Sequence, residues 1–273
     1  MDPSEETFGP MLRRWRERRR LSQLDVALAA RSSTRHLSYL ETGRAQPSRE
    51  MIGRLADVLD VPLRGHNALL LAAGFAPAFR ESALDALPAA KAAMNRVLQA
   101  HRPYPAFVVD RQWQVVLSNS ALPQLYEGCA DVLMTPPVNA MRLMLHPDGM
   151  APRILNYEAW RGHCRHLLRQ QIEAGANDCV EQLYAEIAGY SAPPLTDPLS
   201  STSGIDRFAT PLRIATQHGL VSFLSTITVF GTASDVTLSE LALEMLFPAD
   251  EQTARIVRTM EAEACAPHAA GAD

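Results

Sequence analysis

The stretch "LAARSSTRHLSYLETGRAQPS", residues 28–48, gathers hydrogen-bonding side chains at the start of a short helix and ends that helix on a glycine. Thr34, Arg35, His36 and Ser38 fall on the side away from Leu37 and Leu40, so one edge is polar and the other apolar. A core helix has no use for such an edge, whereas a helix lying in the major groove of a duplex does. An arginine fork matches guanine O6 and N7, and a threonine meets a thymine methyl or a base edge. Arg35 is the first candidate reader, Thr34 the second, and His36 a weaker third.

Such a helix must be held at a fixed angle by others, and the flanking sequence supplies them. "FGPMLRRWRERRRLS" reads as helix from about Pro10, with Leu12, Trp15 and Arg19 four or so residues apart and Pro10 suited to the first turn. "LSQLDVALAA" restarts a helix, Ser22 and Asp25 making a capping-box pair. Val26, Ala27 and Ala30 face inward, and the small Ala27 lets the next helix cross closely. The period breaks at Arg31-Ser32, and Ser33 is the expected N-cap of the third helix, with Gly43 just past its end. A fourth helix starts at Pro47 or Ser48 with Ile52, Leu55, Ala56 and Leu59 inward, and a fifth, "LRGHNALLLAAGF", ends at Gly74.

Two short helices joined by a tight turn, set among three others, form the unit that puts its second helix in the major groove. The residues Leu21-Ser22-Gln23, Val26-Ala27, Ala30, Leu37-Ser38, Leu40-Glu41, Gly43, Pro47-Ser48 and Leu55-Ala56 stand at the spacing of one family. On them, residues 8–74 resemble the Cro/lambda-repressor (XRE) helix-turn-helix family. The resemblance implies a five-helix DNA-binding domain, and it implies that Gln23 holds a backbone phosphate and braces the reading helix. Candidate DNA contacts are therefore Gln23, Ser33, Thr34, Arg35, His36, Ser38, Arg44 and Arg13, with Arg16 and Arg49 as further phosphate candidates. Arg31 departs from the family, which usually has glycine in the turn. If Arg31 is left-handed, its side chain costs of order 1 kcal/mol.

Charge agrees with a divided chain. Net charge is −4 over 273 residues, yet residues 1–76 hold twelve arginines against nine acidic residues, a balance of +3. The remainder holds fourteen basic and 21 acidic residues, a balance of −7, so only the N-terminal part is suited to meet a polyanion. No apolar run approaches the ~18 residues of a membrane span. The start "MDPSEETFGP" lacks the order of a secretory signal, and four scattered cysteines without a CxxC fit reduced thiols in a cytoplasmic protein.

Residues 76–105 shift to a linker and an Ala-rich helix ended by Pro103, after which the period becomes two. Phe107–Val109 and Trp113–Leu117 read as strands around a turn, with Asn119 as a helix cap. Helices follow at "NAMRLMLHP", "NYEAWRGHCRHLLRQQIEAG" and "DCVEQLYAEIAGY". A Pro/Ser/Thr-rich loop at 191–204 precedes strands at 209–216, 219–231 and 237–249, and a polar helix at 250–263. Two strands, several helices and three antiparallel strands are the order of a PAS-like sensor. In "YPAFVVDRQWQVVLSN", "HPDGMAPRILNYEAW", "ATPLRI" and "FLSTITVFGTASDVTLSELALEMLFPAD" the chain resembles the ligand-binding domain of MmyB-like transcription regulators over about 104–249.

That resemblance implies a cavity between sheet and helices, with a fatty-acid-like molecule as one type of occupant. Phe107, Val109, Phe223 and Ile227 are in-facing strand candidates, and Met134, Met141, Leu143, Met144, Leu145 and Met150 put adaptable side chains on the helices. The candidate ligand set is Phe107, Met141, Arg142, Met144, Trp160, Arg213 and Phe223. Arg142 or Arg213 would supply the donor fork for a carboxylate, although a solvent-facing Arg213 fits its strand slightly better. His163, Cys164 and His166 lie within one turn but lack the spacing and supporting carboxylate of a metal site, and no nucleotide or nucleophile motif occurs.

The expected fold is thus two-domain: an all-α five-helix lambda-repressor-like DNA-binding domain at 1–76, a linker and helix at 77–103, an α+β PAS-like sensor domain at 104–263, and a flexible tail at 264–273. The expected protein is a cytoplasmic, homodimeric regulator on a two-fold DNA operator, controlled by a small apolar ligand, with no cofactor, metal or membrane contact and no enzymatic activity. An interaction platform without ligand, or an enzyme using the cavity, is the alternative for the C-terminal part.

Overall fold

The computed structural model describes residues 7–175, 178–191, 209–230 and 233–265. Two compact units emerge: Met1–Ala83 with Gln171–Ala176 and Gly231–Ser239, and Leu84–Gln170 with Asn177–Phe230 and Glu240–Asp273. The loop expected at 191–204 falls, from residue 192 on, outside the described residues, and so does the expected tail from residue 266 on.

In the first unit five helices follow one another: α1 (Phe8–Arg18), α2 (Gln23–Ala29), α3 (Thr34–Glu41), α4 (Arg49–Val58) and α5 (Leu63–Ala72). Their starts are fixed by side chains that satisfy the orphan amides of a first turn. Ser22 Oγ accepts from the Asp25 amide while Asp25 accepts from the Ser22 amide, a complete capping box. Ser33 caps α3 through the His36 amide at 3.1 Å, and Ser48 caps α4 through the Met51 amide at 3.2 Å. The turn between α2 and α3 puts Arg31 at φ 54°, the left-handed region, and the Ser32 amide closes on Ala27 O at 2.8 Å. Leu12, Val26, Ala27, Leu37, Leu40, Ile52, Leu55 and Leu69 make the buried core. Gly9 lets α1 approach the end of α3, since a Cβ there would stand 2.5 Å from the Glu41 carbonyl oxygen.

The second unit has α6 (Pro88–Ala100), then strands β1 (Ala106–Val109) and β2 (Val115–Ser118). The helices α7 (Asp131–Met134), α8 (Ala140–Leu145), α9 (Tyr157–Glu173) and α10 (Asp178–Ala188) follow. Strands β3 (Leu212–Thr216) and β4 (Gly219–Val229) come next, then α11 (Val236–Ser239) of the first unit, β5 (Ala242–Pro248) and α12 (Glu251–Cys265). The five strands make one antiparallel sheet in the order β2-β1-β5-β4-β3, so the last strand of the chain takes the centre.

Three details depart from the sequence expectation. The strand expected from Trp113 starts at Val115, because Trp113 is left-handed at φ 64° and Asp110 Oδ1 extends the turn by accepting from the Gln112 and Gln114 amides. The strand expected from residue 237 starts at Ala242, because Asp235 Oδ1 accepts from the Thr237 amide at 2.9 Å and initiates α11. Asn119 caps no helix. Buried, it accepts from the Ala106 amide and donates to Leu98 O and Tyr104 O, tying α6 to the start of β1. Among the described residues no helix is long and apolar enough to cross a membrane.

Candidate nucleic-acid interface and ligand chamber

Burial sorts α3 as its spacing predicts. Leu37 and Leu40 are each 1 % exposed, whereas Thr34 and Arg35 are exposed and His36 and Ser38 half-buried. Arg35 lies along its own helix, its Nε 3.1 Å from Tyr39 Oη and its guanidinium 5.4 Å from the Tyr39 ring centre. The stack and the Nε bond hold the side chain along the exposed edge of α3.

Behind α3 lies a polar tether that the sequence does not announce. Glu41, the last residue of α3, is 7 % exposed and accepts both arms of Arg16, Nε at 2.6 Å and a terminal nitrogen at 2.9 Å. Arg16 also donates to Leu21 O at 3.0 Å. Gln23 Nε2 donates to Glu41 at 2.8 Å. One carboxylate therefore joins α1, α2 and α3, and a bidentate guanidinium is the geometry that repays the cost of burying both charges. Gln23 occupies the bracing position; Arg16 spends its fork inside the domain rather than toward a phosphate.

The other arginines divide as well. Arg13 pairs with Glu17 at 2.7 Å on the exposed face of α1, the contact that raises its pKa and lowers that of Glu17. Arg19 donates to Leu59 O and Asp60 O, satisfying carbonyls at the end of α4. Arg49 donates to Ala76 O at 3.1 Å, while Arg44 is exposed just beyond the left-handed Gly43. The sequence reading missed the roles of Arg19 and Glu41; the Leu40-Glu41 pair carried the only signal, as an acid next to a buried position.

In the second unit the sheet register separates two faces. Phe107 stands opposite Glu244, Ile227 opposite Glu244 on the other side, Phe223 opposite Leu212, and Val221 opposite Ile214, so these side chains share the inner face. Phe107 and Phe223 are 2 % and 0 % exposed. From α9, Tyr157, Trp160, Cys164 and Leu168 present one buried stripe, and Trp160 Nε1 reaches Met144 Sδ on α8, with Met141 buried on that helix too. Of the expected ligand set, Phe107, Phe223, Trp160, Met141 and Met144 are thus interior.

The two expected carboxylate receptors stand elsewhere. Arg142 is occupied on the surface by a bidentate pair with Glu186 of α10, at 2.9 and 2.8 Å, and that pairing holds the Glu186 carboxyl below its ordinary range. Arg213 stands opposite Ser222, on the face away from Phe223, and it is 9 % exposed rather than solvent-facing. Ile227 is on the inner face but 40 % exposed, where the sheet runs out toward solvent. Asn139 is the cap of α8, accepting from the Arg142 amide. His163 packs against the Trp160 ring at 5.0 Å, and burial lowers its pKa; Cys164 is fully buried, and burial followed by the Glu244 carboxyl raises its pKa. No group of three histidine, cysteine or acidic residues suited to a metal occurs among the described residues.

The inner face also carries an acid. Glu244, on the central strand, is 5 % exposed and accepts from Ser225 Oγ at 2.7 Å, and desolvation pushes its carboxyl up to about 7.

Two family models match the chain. One, described as a helix-turn-helix domain, matches residues 7–69; the other, described as the MmyB-like transcription regulator ligand binding domain, matches residues 90–260, more than half of the chain. No curated protein matches it.

Proposed function

Since the chain belongs to the MmyB-like transcription regulators, and is thereby a DNA-binding regulator with a ligand-binding domain, we propose that α3 reads a two-fold operator as part of a homodimer and that a small apolar molecule enters between the sheet and α8–α9 of the second unit. One observation carries this reading. The same chain holds a capped helix with an outward polar edge and, in a separate unit, a sheet whose inner face is largely apolar around the Glu244–Ser225 pair. Arg35 and Thr34 contact base edges, Arg44 and Arg13 contact phosphates, and Gln23 holds α2 to α3 while facing the backbone. Half-sites lie about one turn, roughly 10 base pairs, apart.

The strand order β2-β1-β5-β4-β3 supports a PAS-like sensor, and the buried Met141 and Met144 support an occupant with an adaptable, chain-like body of the fatty-acid kind. Such an occupant regulates only if it prefers one of two conformations; tight but indifferent binding shifts nothing. Two measurements on protein purified without refolding test the reading. Genomic fragments from beside its own gene are retarded at low salt, and organic extraction releases a discrete apolar compound or added alkyl-chain compounds raise Tm. Indifference to every fragment in dilute buffer sinks the DNA half; an unchanged Tm with an empty extract sinks the ligand half.

A further inference from the structure

Glu244 is the polar side chain that the DNA-binding role does not use and that stability does not explain. A buried carboxylate is expensive unless a cation or several donors face it. Among the described residues its one hydrogen-bond partner is the Ser225 hydroxyl, which satisfies part of one oxygen. Its other described neighbours offer no charge. β1 places Phe107 opposite it, β4 places Ile227 opposite it, and α9 brings the Cys164 thiol, itself held neutral by burial. Ile227, directly opposite the acid, is 40 % exposed and Val229, two residues further along the same face, is 62 % exposed, so apolar surface open to solvent begins next to Glu244.

On the reading that this interior takes a small apolar ligand, we propose that its head group is basic: an apolar chain carrying a protonated amine, whose ammonium pairs with Glu244 while Ser225 holds the carboxylate in place. The ammonium supplies the countercharge that the described neighbours lack. A carboxylate head would instead meet a like charge once Glu244 ionises, and the arginines that would receive it lie on the surface with Glu186 or on the other face of the sheet.

The experiment uses the whole chain and three probes of equal length below their micellar concentrations: dodecylamine, dodecanol and dodecanoic acid. Binding is read by displacement of an environment-sensitive dye at pH 8, where Glu244 is mostly ionised. The wild-type protein is expected to bind the amine roughly ten-fold or more tighter than the alcohol, with the acid weakest. Glu244→Gln is expected to bring the amine down to the level of the alcohol and leave the alcohol unchanged, and Ser225→Ala to narrow the preference in part. An acid bound as tightly as the amine, or a ranking that survives Glu244→Gln in a variant that melts like the wild type, overturns the head-group assignment alone. Should none of the three displace the dye from the wild-type protein, the ligand chamber itself falls and this assignment with it.

Discussion

Glu41 at the end of α3 and Glu244 in the middle of β5 are both buried, 7 % and 5 % exposed, yet their surroundings are opposite. Glu41 receives both arms of Arg16 and the amide of Gln23, so each oxygen is answered inside the protein. Glu244 receives one hydroxyl and no described cation. In the helix-turn-helix unit a buried charge joins three helices and fixes the angle between them. In the sheet unit a buried acid is left with capacity to spare, which is what a binding site needs and a scaffold avoids.

The largest expected effect comes from breaking the answered pair. Arg16→Met leaves Glu41 buried without its cation and is expected to destabilise the N-terminal unit by about 3 kcal/mol, abolishing DNA retardation at 37 °C. Thermal unfolding followed beside DNA binding checks it. A loss of DNA affinity with an unchanged melting curve would instead make Arg16 a phosphate contact.

Next in size is the pH response of the unanswered acid. Folding raises the Glu244 carboxyl from 4.5 to about 7, so between those values the folded state holds a proton that the unfolded state has lost. Stability from this group is full below pH 4.5, falls as pH rises toward 7 and stays low above it, a difference of about 3 kcal/mol at most. The gap between wild type and Glu244→Gln in denaturant melts is expected to shift in favour of the glutamine variant from pH 5 to pH 8. A gap independent of pH would mean that Glu244 titrates alike in both states.

A smaller effect tests a polar group that the structure leaves in reach. Arg35→Ala is expected to cost about 1–3 kcal/mol on the cognate operator and far less on scrambled DNA, measured at one salt concentration. Equal loss on both would make Arg35 a phosphate contact. The smallest effect lies in the turn. Arg31→Gly relieves a left-handed side chain and is expected to add up to about 1 kcal/mol of stability, offset in part by the extra freedom of glycine in the unfolded chain. A net loss would assign Arg31 a contact that outweighs its strain.

Most of the N-terminal unit was legible because its determinants are local. Ser22, Ser33 and Ser48 cap helices within three residues of themselves, Gly43 and Gly74 end them, and the inward positions recur with the helical period. The sheet was legible in kind and less so in its limits. A left-handed Trp113 and the cap supplied by Asp235 moved two strand starts, and each rests on a turn of several residues rather than on a period. The site was legible in its apolar members: Phe107, Phe223, Met141, Met144 and Trp160 are interior as hydropathy demands. Arg213 is placed by its pairing opposite Ser222, because alternation along one strand says which residues share a face and only the neighbours say which face is inside; Arg142 is drawn outward by Glu186, 44 residues away on α10.

By itself, then, the sequence determined the five helices and their caps, the polar edge of α3, the change of period near residue 106 and the acidic balance beyond residue 76. Short-range sterics and hydrogen bonds set all of these. Tertiary structure alone decided that Arg16 turns inward to Glu41, that β5 joins the sheet between β1 and β4, and that Glu244 reaches the interior without a counterion among the described residues. The reason is distance along the chain: Arg16 and Glu41 are 25 residues apart, and Ser225 and Glu244 are 19 apart. A charge's partner, and hence its cost, is fixed only when folding brings such residues together.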